Sequence, residues 1–381
     1  MTLTRRQALM ALLKEKRPVG YVPAWTYGID RWSHPWMGTD PSYREVMEHV
    51  DRYDHLQVLH LSYYGSFGLT DILHVEAPGL VETRRFQQGD TTHTQLTLHT
   101  PRGDLTAEYK EIAGNNSVWR QTHLIKTDDD IDRFLSVPFT PAQPDADAYR
   151  RVRAEVGDRG IMQIQMPDPI DLVFENMDYN DFMVRTITVP EKIDAMLERM
   201  QQLTLQWLEG IIAAGMATES FRIFGPEAAA PPMMSPDFYH RAVTEMDRPI
   251  VRMIQEAGGI VEYHCHGPIA RLIDEFLDLG VDAIDPCEAP PSGDIGLRDL
   301  AARVGDAITL VGNLQLDDLE RATPAQIDRL VAEAVEAVGG RARFILAPTA
   351  PPFETPLPPQ TARNIIAFLD AARRHGGAPP Q

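Results

Sequence analysis

The chain has 381 residues, of which 43% are hydrophobic, and its 36 basic and 55 acidic residues give a formal net charge of −19. A chain of this length and apolar content buries one large core, so we expect a single domain over residues 1–375 and a disordered tail over residues 376–381. The negative charge repels phosphate backbones and anionic lipids, which excludes nucleic acid and membrane surfaces as partners. Two cysteines are too few for a disulfide framework, and a reducing cytoplasm is the expected compartment.

The first predicted element is a helix that begins after Thr4. Arg5 and Arg6 superficially resemble an export signal, but the apolar stretch ends at Leu13 and charged residues follow it. Thr4 and Gln7 have the spacing of a capping box, so we interpret the segment as a capped amphipathic helix. No stretch of the sequence approaches the length of a membrane span.

Eight short apolar runs alternate along the chain with longer segments of helical periodicity. This alternation predicts crossover units and a parallel sheet, and eight strand and helix pairs favour an α/β fold of the closed (β/α)₈ TIM barrel type. An open, doubly wound sheet is the alternative, although no glycine-rich dinucleotide turn follows any run. The predicted strands span residues 21–25, 55–61, 161–166, 221–224, 260–264, 281–285, 309–311 and 344–347.

A long insertion separates the second and third predicted strands. Residues 80–125 alternate polar and apolar side chains around turn sequences at Gly89-Asp90 and at 101–104. This pattern predicts an antiparallel β-hairpin over the mouth of the barrel. A decoration at the edge of the barrel is the alternative.

The fifth predicted strand carries the strongest candidate ligands. Active sites of barrel enzymes lie at the carboxyl ends of the strands, and this strand ends in Glu262-Tyr263-His264-Cys265-His266. Alternation places Glu262, His264 and His266 on one face and Cys265 on the other, with the two histidine backbones about 6.6 Å apart. Two such imidazoles reach one metal ion, so His264 and His266 are predicted metal ligands. A hydrogen-bonded pair in a polar core is the alternative.

Acidic residues follow the strands on either side of the histidines. Glu227 comes after the fourth predicted strand and Glu288 after the sixth. We predict that Glu288 is the third metal ligand and that Glu227 is a catalytic acid or base, with helix-cap or surface carboxylates as the alternative. Cys287 is either a thiolate ligand or a small buried hydrophobic residue.

The ends of other strands add polar and aromatic candidates. His60 lies near the end of the second predicted strand and Asp168 follows the third, and we predict catalytic roles for both. Gln163 and Gln165 share one face of the third strand, and such amides predict a polar ligand cavity. For each residue alone, a structural hydrogen bond or plain packing is the alternative. The predicted substrate-binding residues are Trp25, Tyr27, Gln163, Gln165 and Asn313.

Several segments together resemble the uroporphyrinogen decarboxylase superfamily, which includes methyltransferases that move methyl groups between corrinoids and thiols. The resemblance covers nearly the whole chain and implies the barrel independently of the strand count. The similar segments are 17–23, 235–238, 264–267, 312–313 and 345–348.

The chain departs from both branches of this superfamily. The decarboxylase branch binds an acidic tetrapyrrole through N-terminal arginines. In this chain no second arginine follows Arg17 in the matching segment, and the negative net charge disfavours binding of such a substrate. The methyltransferase branch holds zinc with a His-x-Cys pair and a later cysteine. His264 matches the histidine, whereas His266 and Ala350 occupy the places of the two cysteines. Imidazole and carboxylate ligands are harder, in the chemical sense, than thiolates, so the identities of the metal and of the substrate are both left undecided.

The resemblance implies a metal-dependent methyltransferase or demethylase that acts on a small molecule. Its expected cofactors are a divalent metal, with zinc as the first candidate, and a corrinoid (cobalamin) methyl carrier, on this chain or on a partner corrinoid protein. A decarboxylase or lyase that acts on a small carboxylate by proton transfer is one alternative, and a non-catalytic binding barrel is the other. A homodimer is the default expectation for the assembly.

Overall fold

The computed structural model describes residues 3–60, 75–76, 79–115, 118–352 and 354–377. Residues 378–381 of the predicted tail and Leu61 of the second predicted strand lie outside these ranges. The strands of the described residues are β1 (Leu56–His60), β2 (Val75–Glu76), β3 (Val81–Gln88), β4 (Thr91–Leu98), β5 (Leu105–Ile112), β6 (Val118–Thr122), β7 (Thr140–Pro141), β8 (Gly160–Pro167), β9 (Ser220–Phe224), β10 (Ile260–His264), β11 (Ala283–Asp285), β12 (Thr309–Leu314) and β13 (Arg343–Pro348).

A parallel sheet of seven strands, in the order β1-β8-β9-β10-β11-β12-β13, forms the centre of the fold. Seven of the predicted strands are therefore confirmed. The first predicted strand is instead a short bridge: Ala24 pairs with Leu346 in parallel, and the Trp25 amide donates to the Leu346 carbonyl (2.9 Å). The Ala24 carbonyl accepts from the His55 amide, which precedes β1 (2.8 Å). Residues 24–25 thus hydrogen-bond toward both edges of the sheet, in place of a full eighth strand.

Helices follow most of the strands. They are α1 (Arg5–Leu13), α2 (Arg44–Tyr53), α3 (Asp128–Leu135), α4 (Ala146–Val156), α5 (Pro169–Phe174), α6 (Tyr179–Thr188), α7 (Pro190–Ala213), α8 (Pro236–Tyr239), α9 (Glu245–Glu256), α10 (Ile273–Leu279), α11 (Leu297–Val304), α12 (Leu316–Arg321), α13 (Pro324–Val338) and α14 (Pro359–His375). The predicted capping box of Thr4 and Gln7 is confirmed at the start of α1. Among the described helices, none has the length and apolar content that crossing a bilayer requires.

Alternation along the strands divides the apolar residues into two cores. Outward residues such as Val261 and Tyr263 of β10 pack with the helices in the larger core. Inward residues such as Ile161 and Ile260 pack with Leu12 of α1 in the smaller one. The Leu12 carbonyl accepts from Thr309 Oγ1 at the first residue of β12 (3.0 Å), so α1 covers the amino end of the sheet. The carboxyl ends of the strands form the opposite end of the sheet, where barrel enzymes have their active sites.

The insertion is larger than the predicted hairpin. Its strands form a four-stranded antiparallel sheet in the order β3-β4-β5-β6. The Gly114 carbonyl accepts from the Thr355 amide (3.2 Å), and Arg120 pairs with Glu175. Because Thr355 follows β13 and Glu175 follows β8 and α5, the inserted sheet contacts segments at the carboxyl ends of the parallel strands.

Candidate active site

Arg222 of β9 is the centre of a buried polar network near the carboxyl ends of the strands. Its Nε lies 3.1 Å from both carboxylate oxygens of Asp285, and its Nη1 donates to Gln165 Oε1 (3.0 Å). Its Nη2 lies 2.6 Å from Nδ1 of His264 and donates to the Tyr27 hydroxyl. The guanidinium therefore joins side chains from β8, β9, β10 and β11.

The charges of this network balance one another in the interior. Burial would lower the pKa of Arg222, but the Asp285 carboxylate outweighs it and raises that pKa above its ordinary value. Burial would raise the pKa of Asp285, but Arg222 and His264 hold it well below its usual range. Burial and the Asp285 charge raise the pKa of Glu262, 3.8 Å from Arg222, to about 8. Near neutral pH, the Arg222 cation therefore faces the Asp285 anion, and Glu262 beside them is protonated.

His264 and His266 lie side by side, each paired with its own carboxylate. Their ring centroids are 4.5 Å apart, with the planes at 86°. Nδ1 of the buried His264 lies 2.9 Å from Asp285 Oδ2. Nδ1 of His266, whose side chain is 38% exposed, lies 3.2 Å from Glu288 Oε2, and the Gly267 amide donates to the same oxygen (2.8 Å). The site therefore holds a buried dyad and an accessible one.

The pKa values of the two imidazoles shift in opposite directions. Burial and the Arg222 charge lower the pKa of His264. Burial opposes protonation of His266 too, but the hydrogen bond and the charge of Glu288 raise its pKa. Burial likewise opposes ionisation of Glu288, whereas its bonds to His266 and Gly267 lower its pKa. Such a pair suits acid–base chemistry, because His266 is more readily protonated than its neutral neighbour.

Replacing Glu288 with glutamine should lower the pKa of His266, because burial is then opposed only by the weaker effects of the Glu227 and Asp285 charges. In the wild type the raised pKa makes the pairing stabilising below the ordinary histidine pKa of about 6.5, and this stability is lost as pH rises through the folded-state pKa. NMR titration of the His266 ring proton measures the change. Glu275→Gln, which removes the partner of the surface residue His240, is the control. An unchanged His266 pKa in Glu288→Gln would contradict the pairing.

The segment at 290–294 holds the Glu288 loop in a tight turn. The Gly293 amide donates to the Ala289 carbonyl (3.1 Å), and Asp294 Oδ1 accepts from the Ala270 amide (2.9 Å). A Cβ at Gly293 would lie 1.9 Å from the carbonyl oxygen of Glu288. Only glycine fits this close approach, so Gly293 allows the loop to place Glu288 against His266.

Gly293→Ala should therefore displace Glu288, lower the pKa of His266 as Glu288→Gln does, and cost about 1–3 kcal/mol of stability through overpacking. The same NMR titration and urea unfolding measure these effects. Gly296→Ala is the matched control, because a Cβ there meets no atom within 4 Å. Equal His266 titrations in the two variants would show that the close approach at Gly293 does not position Glu288.

The predicted metal ligands His264, His266 and Glu288 lie in one region but are engaged in hydrogen bonds. The Arg222 guanidinium, 2.6 Å from Nδ1 of His264, repels a cation at that ring. Among the described residues, no group of three His, Cys, Asp or Glu side chains is placed to hold a metal ion, and Ala350 offers no donor. The residues as arranged do not fit a three-ligand zinc centre. Their role as ligands stays a prediction.

Both cysteines are buried, and neither is placed to act as a metal ligand. Cys265 belongs to the outer core, which agrees with its predicted face. Sγ of Cys287 lies 3.4 Å from the Ile284 carbonyl, and burial raises the pKa of its thiol. A neutral thiol is a poor metal ligand, so the small buried hydrophobic residue is the better description of Cys287.

The predicted catalytic residues Asp168 and Glu227 lie in an acidic group close to the histidines. Asp168 is fully buried and caps α5, where its Oδ1 accepts from the Asp171 amide (2.8 Å). Burial and the charges of Asp247 and Asp171 raise the pKa of Asp168 well above its ordinary value. Glu227 is near enough to contribute to the raised pKa of His266. The structure gives Asp168 a capping role, and its catalytic role stays a prediction, as does that of Glu227.

The predicted substrate-binding residues line the interior at different depths. Trp25 is buried in the inner core, with its ring 4.9 Å from that of Tyr27. The Tyr27 ring lies 4.7 Å from the Arg222 guanidinium. Gln165 donates to Gln163 (3.1 Å), which confirms that these two amides share the inner face. Tyr27 and Gln165 hydrogen-bond to Arg222, and Gln163 bonds to Gln165. That these residues contact a substrate stays a prediction.

Two further candidates lie at strand ends. Asn313 is half-buried on β12, in register with Ala347 of β13. His60 ends β1, but its side chain lies outside the described part of the chain; its neighbours Leu56 and Val58 pack in the outer core. The roles predicted for Asn313 and His60 remain predictions.

Sequence reasoning missed Arg222 and did not assign Asp285 a role. A single arginine within the apolar run 221–224 was the available signal, because a charge in a buried strand needs a partner. Asp285 closes β11, in register with His264 of β10, and that pairing becomes visible only in the sheet.

The profile of the family described as Uroporphyrinogen decarboxylase (URO-D) matches residues 105–375. No curated protein matches this chain at a significant level. Among solved structures, a methyltransferase from Methanosarcina mazei aligns over 98% of this chain and 99% of its own, with 16% identity and a TM-score of 0.61. A D-psicose 3-epimerase from Clostridium cellulolyticum H10 aligns over 66% of this chain and 95% of its own, with 8% identity and a TM-score of 0.40, too low to carry an argument. The structural likeness concerns the fold alone, whereas the profile spans most of the chain, and this protein belongs to the uroporphyrinogen decarboxylase (URO-D) family.

Proposed function

We propose that this chain is an enzyme that transfers a methyl group between a small molecule and a corrinoid, as a methyltransferase or demethylase. The observation that carries the proposal is the accessible His266–Glu288 dyad beside the buried His264–Asp285 dyad, at the end of the sheet opposite α1. The likeness in fold to the Methanosarcina mazei methyltransferase, over nearly the full length of both chains, supports a scaffold suited to this reaction.

The proton balance of methyl transfer gives the histidine pair its role. When a methyl group leaves an ether or amine donor, the bond between carbon and heteroatom breaks and its electron pair stays on the heteroatom. A proton must then reach that heteroatom, and His266, whose protonated form Glu288 stabilises, donates it. In transfer to a thiol, neutral His266 removes the thiol proton instead. A corrinoid, when bound, supplies or accepts the methyl group.

The buried residues hold this pair in position. Arg222 Nη2 and Asp285 Oδ2 lie 2.6 Å and 2.9 Å from Nδ1 of His264 and fix its ring, against which the ring of His266 packs edge to face. Because the guanidinium and the carboxylate neutralise each other, the interior adds little net charge beside the reacting heteroatom. The corrinoid is carried by this chain or by a partner protein.

The test is an anaerobic assay with the full-length protein, reduced cobalamin and a panel of methyl ethers, methylamines and methyl thioethers. Formation of methylcobalamin changes the visible spectrum, and His266→Gln should abolish most of that change. The absence of any spectral change with every donor, and with methylcobalamin plus thiols, would overturn methyl transfer.

Binding of a divalent metal, with zinc as the first candidate, is a separate part of the proposal, and it would require His264, His266 and Glu288 to leave their present hydrogen bonds. Elemental analysis of the wild type and of the His264→Ala/His266→Ala variant tests it. About one metal ion per wild-type chain, lost from the variant, would support the predicted ligand role of these residues. Activity retained in demonstrably metal-free protein would exclude a catalytic metal.

A decarboxylase or lyase that acts on a small carboxylate is the second candidate. The opposite pKa shifts of His264 and His266 favour it, because they suit proton transfer by the side chains alone. Release of CO₂ from a small carboxylic acid, lost in His266→Gln, together with no reaction of cobalamin, would select this candidate.

A further inference from the structure

We propose that the face at the amino end of the sheet carries a second binding site, for a small organic anion with phosphate or carboxylate groups. A cavity of about 140 Å³ opens there. Arg5 of α1, Arg52 of α2 and Arg373 of α14 line it, and none of its lining residues is acidic. In a chain with a net charge of −19, such a concentration of positive charge attracts anions.

The acidic residues near this cavity face arginines other than Arg52 and Arg373, since the charges of Asp54 and Asp51 act on Arg5. Asp51 pairs with Arg31 and lies 3.8 Å from Arg159, and Asp328 pairs with Arg374 (2.6 Å). Across the described ranges, no carboxylate forms an ion pair with Arg52 or Arg373. These two guanidinium groups therefore keep their charge available to an anion.

Two of the arginines of the cavity, Arg5 and Arg373, are held in place by neighbouring groups. Arg5 donates to the carbonyls of Asp54 (2.8 Å) and Asp51 (2.9 Å), which fixes it at the end of α2. Arg373 lies 4.0 Å from the centre of the Tyr53 ring. A guanidinium on an aromatic face keeps donors for the forked contact that oxyanions make.

The wall of the cavity also contains a neutral polar pair. His55 is only 4% exposed, and its Nε2 lies 3.0 Å from the Tyr21 hydroxyl. Burial lowers the pKa of His55 to about 3 and raises that of Tyr21 to about 12, so both groups are neutral. The pair therefore adds hydrogen-bonding groups to the wall but no charge.

The rest of the wall indicates an organic ligand and not a bare ion. Val22, Leu369 and Ala372 provide an apolar side beside the Tyr53 ring. A pocket with an apolar wall and a few convergent polar groups is typical of sites for small molecules. The site lies apart from the histidine pair, because Arg5 begins the helix that covers the amino end of the sheet. A bound anion would tie α1, α2 and α14 together and so stabilise the folded chain.

The experiment measures thermal unfolding and isothermal titration of the full chain with phosphate, pyrophosphate and citrate as separate probes. We expect at least one probe to bind with one site per chain and to raise the Tm. Arg52→Ala/Arg373→Ala should weaken binding by about tenfold or more, since each charge-assisted contact is strong. Arg102→Ala, which removes an exposed arginine from the β4–β5 turn, should bind as the wild type does.

A stronger response to pyrophosphate identifies a phosphate ligand, and a stronger response to citrate identifies a carboxylate. The single variants Arg52→Gln and Arg373→Gln replace the double variant if circular dichroism shows that it does not fold. Equal binding in the wild type and the arginine variants would overturn the proposal, as would no shift in Tm and no heat with all three probes at millimolar concentrations. Neither result depends on activity at His266, so the two proposals fail or succeed separately.

Discussion

Arg222→Met should lower the free energy of unfolding by about 3–5 kcal/mol, because it leaves Asp285 as a buried charge without its partner. The loss is large since one guanidinium contacts side chains from neighbouring strands, and the Asp285 carboxylate has its two oxygens within 3.1 Å of Arg222 Nε. Urea unfolding monitored by circular dichroism measures the change.

The double variant Arg222→Met/Asp285→Leu distinguishes the stability lost with the ion pair from the stability lost with side-chain packing. Removing both charges should restore part of the stability, because no unpaired charge then remains in the interior. Arg102→Ala, at an exposed site, should stay within about 0.5 kcal/mol of the wild type. A loss below about 1 kcal/mol in Arg222→Met would mean that the network does not hold the strands together.

His266→Gln should reduce the turnover number for the proposed reaction by about 10²–10⁴-fold, which is the usual contribution of a positioned acid or base. The fold should be unchanged, because the side chain is 38% exposed and glutamine retains a hydrogen-bonding group near Glu288. Steady-state kinetics measures the loss, and unfolding in urea verifies the fold.

His240→Gln is the matched control for this prediction. His240 is a surface histidine whose Nδ1 lies 2.9 Å from Glu275, so it forms the same kind of imidazole–carboxylate pair away from the site. Its replacement should leave turnover unchanged. If His266→Gln retained activity within about threefold of the wild type, His266 would not be the proton donor.

Much of the central sheet follows from local patterns in the sequence. Apolar runs separated by capped helices located seven parallel strands, and strand alternation placed His264 with Glu262 on the inner face of β10. Alternation succeeds because successive side chains on a strand point to opposite faces whatever their neighbours are. The proximity of Glu288 to His266 likewise followed from the rule that carboxyl ends of parallel strands meet at one end of a barrel.

The partners within the network depend on strand register, which local patterns do not contain. Register places Arg222 opposite Gln165 of β8 and Glu262 of β10, and it places His264 opposite Asp285 of β11. A shift of one residue would turn the Asp285 side chain to the other face of the sheet, away from His264. The predicted association of His264 with Glu288 missed Asp285 for this reason.

The remaining differences also have a tertiary origin. The segment 21–25 has the composition of a strand, but only Ala24 forms a bridge, with Leu346 of β13. The alternating segment 80–125 indicated antiparallel strands, but their number depended on where the turns fell, and four strands formed in place of two. Turn positions and pairing partners are set by the folded neighbours and not by the segment alone.

The most direct test of the proposed mechanism is the pH dependence of the methyl-transfer rate in the wild type and in Glu288→Gln. If protonated His266 delivers the proton, the demethylation rate falls as pH rises through its raised pKa, and Glu288→Gln moves that fall to lower pH. Profiles that are flat across this range, or identical in the two proteins, would contradict the assignment of His266 and Glu288 as the working pair.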